Sequence, residues 1–462
     1  MLRPKGLVSR WLALFSVDFA ASMMSAYGAS NLVSRLDLDP PALYGPYGSA
    51  LVLSLICLLT LYFQDLYAIS KPRKRSWIVA SLLCAGAELG IAAILMVFFA
   101  PSFGWTFAFV AIYLGATIPL LVVWRTSANR LFSRHLDSGV MALGFTEHAP
   151  FLMEEVRRHA HLGYRFLGFA MADGATRPPV SANGHGPITF VNASSLAEYA
   201  RHDADLLVVL DDRSASAASK EIVKWRRQGL KVTDFGSFCE ELTGKLPLES
   251  LGEGSVPVAP RSERSRWRDA LKRAVDVVAS IVLAIVSLPT AVLTAVAIRL
   301  DSPGPIVYSQ ERVGRNGRKF RFYKFRSMYH PPGEPNGTPW GARLQPESIT
   351  RVGRVIRRLR IDEIPQIINV LRGDMSLVGP RPLMVAEAEQ LATCLPFFDQ
   401  RHLVNPGVTG WGMVCCGHAA TVEENRERLS YDLYYIKNWS LTFDCQIILQ
   451  TVKVVLFGRG AR

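Results

Sequence analysis

Two adjacent carboxylates, Asp362 and Glu363, stand in a run of cations: Arg357, Arg358 and Arg360 before them, Arg372 and Arg381 after. Arginines packed around two acids describe a site for an anionic substrate, because the planar guanidinium fork matches phosphate better than an ammonium does. Pro365 follows Asp362 by three residues, and the apolar run Ile367-Ile368-Asn369-Val370-Leu371 comes next. Proline is tolerated only in the first turn of a helix, so the spacing predicts a helix that begins near Asp362, with Asp362 as its N-cap. Both carboxylates would then sit at the positive end of the helix dipole and be held as anions, which suits a nucleophile better than a general acid. Side chains at i and i+1 diverge on a helix, so the two acids are expected to take different roles. Taken alone, the pair fits a capped surface helix with salt-bridged arginines better than an active site.

The elements that must position this stretch follow from composition and hydropathy. A chain of 462 residues allows two or three domains, and a hydrophobic share of 49 % exceeds the soluble norm, which calls for membrane segments. The formal charge of +13 asks for an anionic partner: lipid, sugar nucleotide or nucleic acid. Seven cysteines occur without a Cys-x-x-Cys pair, so neither a disulfide scaffold nor a zinc site is expected. Cys415-Cys416-Gly417-His418 is not read as a metal site, since vicinal cysteines make a poor tetrahedral chelate.

Four apolar segments precede the middle of the chain: Trp11 to Val33, Tyr44 to Phe63, Trp77 to Phe99 and Phe103 to Trp124. Each is long enough to cross a hydrocarbon core of ~30 Å. The first has no small-residue cleavage site after it and reads as an anchor. Basic residues gather before the first segment (Arg3, Lys5, Arg10), between the second and third (Lys71, Arg73, Lys74, Arg75) and after the fourth (Arg125, Arg130, Arg134), which puts both ends of the bundle in the cytoplasm. Asp18 lies within the first segment and is expected to face the bundle, as a packing contact rather than part of a lipid or glycan path.

Residues 140–235 alternate short apolar runs with polar helical stretches, and Val140 to Gly144, Phe166 to Ala170, Leu206 to Leu210 and Lys231 to Phe235 read as strands of a small α/β domain with a parallel sheet. A dinucleotide-binding fold would carry Gly-x-Gly-x-x-Gly after the first strand. Gly144-Phe145-Thr146-Glu147-His148-Ala149 has one glycine, and Glu147 would repel a pyrophosphate. The expectation is a degenerate Rossmann-like domain without cofactor, serving assembly or regulation. Pro257 to Arg268 reads as a basic linker.

Val275 to Leu300 is apolar and long enough to span, yet both flanks are basic: Arg264, Arg266, Arg268, Lys272 and Arg273 before it; Arg312, Arg315, Arg318, Lys319 and Arg321 after it. Pro289 divides it into arms of roughly 20 and 16 Å, neither able to cross alone. A helix that enters, kinks and leaves on the cytoplasmic face satisfies both facts; the rival is a fifth spanning helix. Asp301-Ser302-Pro303-Gly304-Pro305 ends the helix. The interleaved basic and aromatic run Phe320 to Met328 suits nucleic acid or, beside a membrane helix, headgroups and phosphate, and the second reading is preferred. Pro331 to Gly341 reads as a mobile loop, and Leu441 to Phe457 as an amphipathic helix on the membrane surface.

Several blocks, taken together, resemble one family. Asp362-Glu363-Ile364-Pro365-Gln366 is similar to the catalytic Asp-Glu motif of the bacterial polyprenyl-phosphate hexose-1-phosphate transferases that start exopolysaccharide and O-antigen synthesis, the large type of the monotopic phosphoglycosyltransferases. Gly373 to Pro382 matches the second block in register, Gln310 to Gly317 and Lys324-Phe325-Arg326-Ser327-Met328 match two earlier ones, and Asn405-Pro406-Gly407-Val408-Thr409-Gly410-Trp411 resembles a later one with Asn405 in place of arginine. The resemblance covers Lys272 to Arg462. It implies a four-helix transmembrane bundle (residues 1–134), a Rossmann-like domain (135–256), a linker (257–271) and a catalytic domain (272–462) with a re-entrant helix broken at Pro289. It further implies transfer of a hexose 1-phosphate from a UDP-sugar to undecaprenyl phosphate with release of UMP. Asp362 would be the nucleophile that forms a phosphosugar-aspartyl intermediate, and Glu363 would position Asp362 or a metal. Lys324, Arg326, Arg357 and Arg381 would bind substrate. Mg²⁺ on Asp362 and Glu363 would offset the diphosphate charge. Expected partners are a UDP-hexose, undecaprenyl phosphate and membrane lipids of the bacterial inner membrane, with a homodimer allowed and no nucleic acid. A membrane nucleotide-sugar dehydratase is a rival class, but its Tyr-x-x-x-Lys pair occurs only as Tyr67-Lys71 in a membrane loop. A polysaccharide-assembly scaffold without activity is the non-enzymatic rival, and the intact acidic pair argues against it.

Overall fold

The computed structural model describes residues 7–36, 45–67, 75–100, 103–134, 138–160, 164–171, 189–192, 204–227, 229–248, 266–329, 348–417 and 419–457. The chain divides into two compact units, Met1–Leu242 and Thr243–Arg462.

The first unit opens with four apolar helices, α1 (Leu7–Arg35), α2 (Gly45–Phe63), α3 (Arg75–Phe99) and α4 (Phe107–Arg134). They match the four predicted segments, with the fourth helix beginning at Phe107 rather than Phe103. α1 packs on α2 and α4, and α3 packs on the same two, so the helices close into a ring. Without a hydrophobic drive between helices in lipid, close approach depends on small residues. Gly86 and Gly90, one turn apart on α3, lie where a Cβ would press on Ile118 and Leu114 of α4.

The bundle buries a charge pair. Asp18 of α1 is fully buried and is bound by the Arg125 guanidinium from α4. It also accepts a 2.8 Å hydrogen bond from the Tyr67 hydroxyl, while Arg125 donates to the Leu66 carbonyl at 2.7 Å. Asp18 therefore faces the bundle as a packing contact. Tyr67 is spent on this contact, and Lys71 lies outside the described residues.

Beyond the bundle lie strands β1 (Ser138–Leu143), β2 (Tyr164–Met171), β3 (Phe190–Asn192), β4 (Ala204–Val209) and β5 (Lys231–Asp234). All pair in parallel in the order β3-β2-β1-β4-β5, with helices α5 (Ala149–Arg158), α6 (Asp212–Ala217), α7 (Ser219–Arg227) and α8 (Phe235–Thr243) between and after them. The short strand β3 was not among the expected ones; its alternation over three residues is too brief to register. At the crevice between β1 and β4, Asp211 caps α6 through Ser214 N at 2.7 Å. A Cβ on Gly144, whose φ is +88°, would run into Asp211 and Ser214.

The first long helix of the second unit is α9 (Arg266–Asp301), helical through Pro289. It starts inside the stretch read as linker, whose residues 257–265 lie outside the described part, as does the loop 331–341. An antiparallel ribbon follows, β6 (Val307–Val313) with β7 (Lys319–Phe325), paired from Val307↔Phe325 to Val313↔Lys319. Then come α10 (Arg351–Arg358), α11 (Gln366–Arg372), β8 (Ser376–Val378), α12 (Val385–Cys394), β9 (Gly407–Thr409), α13 (Trp411–Cys416), α14 (Val422–Lys437) and α15 (Leu441–Phe457). β8 and β9 form a short parallel pair in which Gly379 and Gly407 bring their backbones into contact that a Cβ would block. Both ends of α9 dock on this unit. Near its start Arg273 donates to the Val370 and Leu371 carbonyls of α11, at 2.5 and 2.8 Å. Near its end Ile298 packs with Phe325, Ile356, Ile361 and Ile364. Between them the apolar side chains are exposed, among them Val286 at 72 % and Leu293 at 71 %.

Breaking a buried ion pair by removing one partner costs about 3–5 kcal/mol, whereas replacing both with apolar residues is near neutral. Arg125→Leu is therefore expected to lower the thermal midpoint and folded yield of the purified protein sharply, and Asp18→Leu/Arg125→Leu to recover most of the loss. A double variant as unstable as the single one would rule the pair out as the cause.

Candidate active site

The acidic pair is not on the first turn of α11. Ile361–Glu363 form a single 3₁₀ turn, Pro365 precedes α11, and Arg360 before the turn is left-handed at φ +59°. Asp362 is therefore not an N-cap, and α11 has no side-chain cap. The reason is Arg360: a left-handed residue ends α10 and re-aims the chain before the helix can begin. The tight turn also changes where the acids point. Although adjacent, they meet on one ammonium, with Lys324 Nζ 3.4 Å from Asp362 Oδ2 and 3.1 Å from Glu363 Oε1. Arg360 adds a guanidinium 3.5 Å from Glu363.

Two anchors fix this meeting. Lys324 comes from β7, and Asn369 of α11 is clamped to the same strand, donating to the Arg321 carbonyl at 2.6 Å and accepting from Tyr323 N at 3.2 Å. Fully buried, Asn369 sets the distance between the acids' turn and Lys324. Sequence reading passed over it as one polar residue in an apolar run; its signal was that very placement, since a buried amide needs partners. The second anchor is Thr350, which caps α10 through Gly353 N at 2.8 Å.

The electrostatics split the pair. Burial pushes the Asp362 carboxyl up; Lys324 and Arg357 oppose it, the Glu363 charge reinforces it, and the net direction is up. Burial also acts on Glu363, but Lys324, Arg381 and Arg360 outweigh it and hold its carboxyl below the ordinary range. The expectation that both would be stabilised as anions is thus corrected for Asp362, which gains no helix dipole and is only 7 % exposed.

Of the arginines expected here, Arg357, Arg360 and Arg381 act on the pair, Arg357 on Asp362 and the other two on Glu363. Arg372 instead donates to the Tyr323 hydroxyl at 2.8 Å, and Arg358 is exposed at the end of α10. Arg326 is placed differently from expectation. It is buried under the end of α9, donating to the Ser302 and Pro303 carbonyls at 2.7 and 2.8 Å and to Ser302 Oγ at 3.0 Å. A guanidinium serves orphan carbonyls at a helix C-terminus, so its work is structural.

Arg381 sits in a strap whose carbonyls are all taken. Pro380 O accepts from Gly407 N at 2.8 Å, Arg381 O from Arg401 at 3.1 Å, Pro382 O from Arg312 at 2.5 Å and Leu383 O from Val313 N at 3.0 Å. Arg401 is paired in turn with buried Asp432 at 2.9 Å. Arg312 and Arg428 are both pulled down to about 10, chiefly by burial and then by repulsion from Arg381. A crowded guanidinium cluster beside two carboxylates can receive a multiply charged phosphate ester and present a carboxylate oxygen to it. Arg401, Arg428 and Asp432 were not singled out by sequence reading, and Arg312 was read only as part of a basic flank and a motif block, because their sequence distance from Arg381 hides the cluster. Two hard carboxylate oxygens suit Mg²⁺, which is held by one or two carboxylates with substrate phosphates. Among the described residues no group of three or more His, Cys, Asp or Glu forms an all-protein metal cage.

Comparison with known proteins gives the chain a family. Residues 267–458 match the family model described as bacterial sugar transferase. A UDP-N-acetylgalactosamine-undecaprenyl-phosphate N-acetylgalactosaminephosphotransferase of Aeromonas hydrophila is 38 % identical over 265 residues, 57 % of this chain and 61 % of that protein. An undecaprenyl-phosphate glucose phosphotransferase of Komagataeibacter xylinus is 40 % identical over 52 % of this chain and 46 % of its own length. The matched stretch thus spans about half to three fifths of these two relatives. A UDP-glucose:undecaprenyl-phosphate glucose-1-phosphate transferase of Caulobacter vibrioides is 42 % identical over 190 residues, 41 % of this chain and 70 % of the relative. With the acidic pair, its lysine and the arginine strap all inside the matched residues, the chain belongs to the bacterial sugar transferase family.

Proposed function

We propose that this chain transfers a hexose 1-phosphate from a UDP-sugar to undecaprenyl phosphate and releases UMP, as the first membrane step of exopolysaccharide synthesis. The observation that carries the reading is the convergence of Asp362, Glu363 and Lys324 in a turn flanked by Arg357 and Arg381. In this reading an Asp362 oxygen attacks the sugar-bearing phosphorus. The bond from that phosphorus to the bridging oxygen breaks, and UMP leaves with the electron pair. An oxygen of the lipid phosphate then attacks the same phosphorus, the aspartyl–phosphorus bond breaks, and the carboxylate is restored. Two steps let the bulky nucleotide and lipid occupy the site in turn. Glu363, kept as the anion, holds Lys324 and orients Asp362, and Arg357 and Arg381 hold phosphate oxygens. Mg²⁺ bound by Glu363 and Asp362 would supply charge neutralisation at the diphosphate.

The same reading makes α9 a membrane hairpin. Drawn straight, Arg273 and Ile298 would lie about 37 Å apart along the axis. Their partners around Ile364 and Leu371 are seven residues apart, about 10 Å if helical. Contacts of both ends with one small region support a bend at Pro289 and an exposed apolar tip within the bilayer. The catalytic unit would then lie on the cytoplasmic face of the inner membrane, with α15 against the surface. The five-stranded domain reads as a degenerate Rossmann-like fold without cofactor: the carboxylate of Asp211 stands at the β1–β4 crevice, where a pyrophosphate would need donors.

Asp362→Asn is expected to lower turnover by at least about 10³-fold with UDP-sugar binding retained. Mass spectrometry of wild-type enzyme quenched with UDP-sugar and no acceptor should show a hexose-phosphate adduct on the peptide carrying Asp362. An active wild type that never yields the adduct under efficient trapping would favour direct attack by the lipid phosphate.

The pH dependence carries a sign. Asp362 must be ionised to attack, and its carboxyl is raised, so initial rate should fall as pH drops through a value above the ordinary aspartate figure of about 3.9. Lys324 lowers that carboxyl, so in Lys324→Met the residual activity should show its acid limb moved to still higher pH. A limb that stays in place would remove Lys324 from the electrostatics of the site.

The hairpin predicts that cysteines placed at Arg268 and Arg318 both resist an impermeant label applied outside intact cells. Labelling at one of the two would make α9 a spanning helix.

A further inference from the structure

A second charged cavity lies away from the acidic pair, at the foot of α9. It holds about 190 Å³ and is lined by Asp269, Lys272, Arg273 and Asp276 of α9, by Arg315 at the ribbon turn, and by Trp439 after α14. Lys324 pairs with Tyr308 across the ribbon, and the five steps from Tyr308 to Val313, about 17 Å of strand, separate Lys324 from the start of the turn that carries Arg315.

The four α9 residues fall at i, i+3, i+4 and i+7, so they share one face over two turns. Acids stand at the two ends of this stripe and cations in its middle. Each is oriented by a neighbour. Lys272 is 2.7 Å from Asp444, which also accepts from Tyr435 and Trp439 at 2.8 and 3.0 Å. Asp276 accepts from Leu377 N at 3.2 Å, Asp269 lies 3.8 Å from Arg315, and Arg273 is the residue that grips α11. Immediately above the stripe α9 turns outward-facing and apolar, with Val278 at 62 % and Val282 at 54 % exposure. Indole and tyrosine side chains favour this boundary between water and hydrocarbon.

We propose that this cavity binds the headgroup of a phospholipid that carries both a phosphodiester and a primary ammonium. The cations Lys272 and Arg315 take the phosphate, and Asp269 and Asp276 take the ammonium. A purely anionic headgroup would leave the two acids facing its phosphate. A quaternary ammonium has no N–H to give them. The inference rests on the reading of α9 as a membrane hairpin, which places the stripe at headgroup level; it does not depend on the transfer reaction.

The test is native mass spectrometry of the full-length protein in detergent, titrated with phosphatidylethanolamine, phosphatidylcholine and phosphatidylglycerol of the same acyl chains. One phosphatidylethanolamine should be held at least about tenfold more tightly than either competitor. Asp269→Asn/Arg315→Gln should abolish that preference while the protein keeps its elution profile. Soluble phosphoethanolamine should displace the lipid at concentrations where inorganic phosphate does not, which separates the headgroup from a free phosphate as the ligand. Equal retention of all three lipids, tighter retention of phosphatidylglycerol, displacement by phosphate alone, or an unchanged preference in the double variant would each overturn the proposal. The readout needs no UDP-sugar, so a protein selective for the lipid yet inactive in transfer would count against the proposed reaction and not against this site. Cysteine labelling tests the hairpin separately.

Discussion

One ammonium shared by two carboxylates organises the second unit. Lys324 reaches Asp362 and Glu363 from a strand, while the acids come from a turn distant in sequence. Neither acid would be tolerable in so buried a place alone, since a desolvated carboxylate requires a partner. The ribbon, the Asn369 clamp and the Thr350 cap are the means by which the fold brings strand and turn to that separation. Because one cation serves two acids, compensation is incomplete, and it is incomplete unequally. Glu363 collects additional guanidinium charge and stays ionised; Asp362 is the acid left closer to neutrality. Two carboxylates adjacent in sequence thereby differ in reactivity without differing in side-chain chemistry.

Much of this was legible in the sequence. The four apolar helices and four of the five parallel strands follow from hydrophobic runs and their period, which are local properties. Asp362, Glu363, Lys324 and Arg381 were marked by motif blocks, and the first three meet in the structure. What escaped was long-range or conformational. The turn at Asp362 depends on the left-handed backbone of Arg360, which a non-glycine residue does not advertise. Arg326 carries the same charge as its neighbour Lys324, and only the position of the end of α9 shows that one caps a helix while the other faces the acids. Arg312, Arg401 and the Arg428–Asp432 pair of α14 come from three separate elements, so no spacing rule could have joined all four.

The two halves of the chain handle buried charge differently. In the helix bundle Asp18 and Arg125 neutralise one another, with a tyrosine and a carbonyl completing the hydrogen bonds. Such a closed pair fixes which helices are neighbours and leaves little for a ligand to do. Around Arg381 the guanidinium groups crowd together with fewer acids among them, and burial lowers the proton affinity of Arg312 and Arg428. An arrangement of this kind stores repulsion that an incoming anion relieves. The contrast separates a closed ion pair from a cluster with positive charge in excess, the feature on which the proposed phosphate binding draws.

The strap from Pro380 to Leu383 has a thermodynamic consequence for recognition. Two prolines fix their own φ angles, and every carbonyl along the strap is already engaged. The backbone that carries Arg381 therefore has almost no conformational freedom left to surrender when a ligand arrives, and only the side-chain rotamers remain to be ordered. A flexible loop presenting the same arginine would lose roughly 1–2 kcal/mol per residue fixed. If Arg381 holds phosphate as proposed, discrimination between anions of different reach falls to the length of one side chain on a rigid mount, a ruler with a fixed origin.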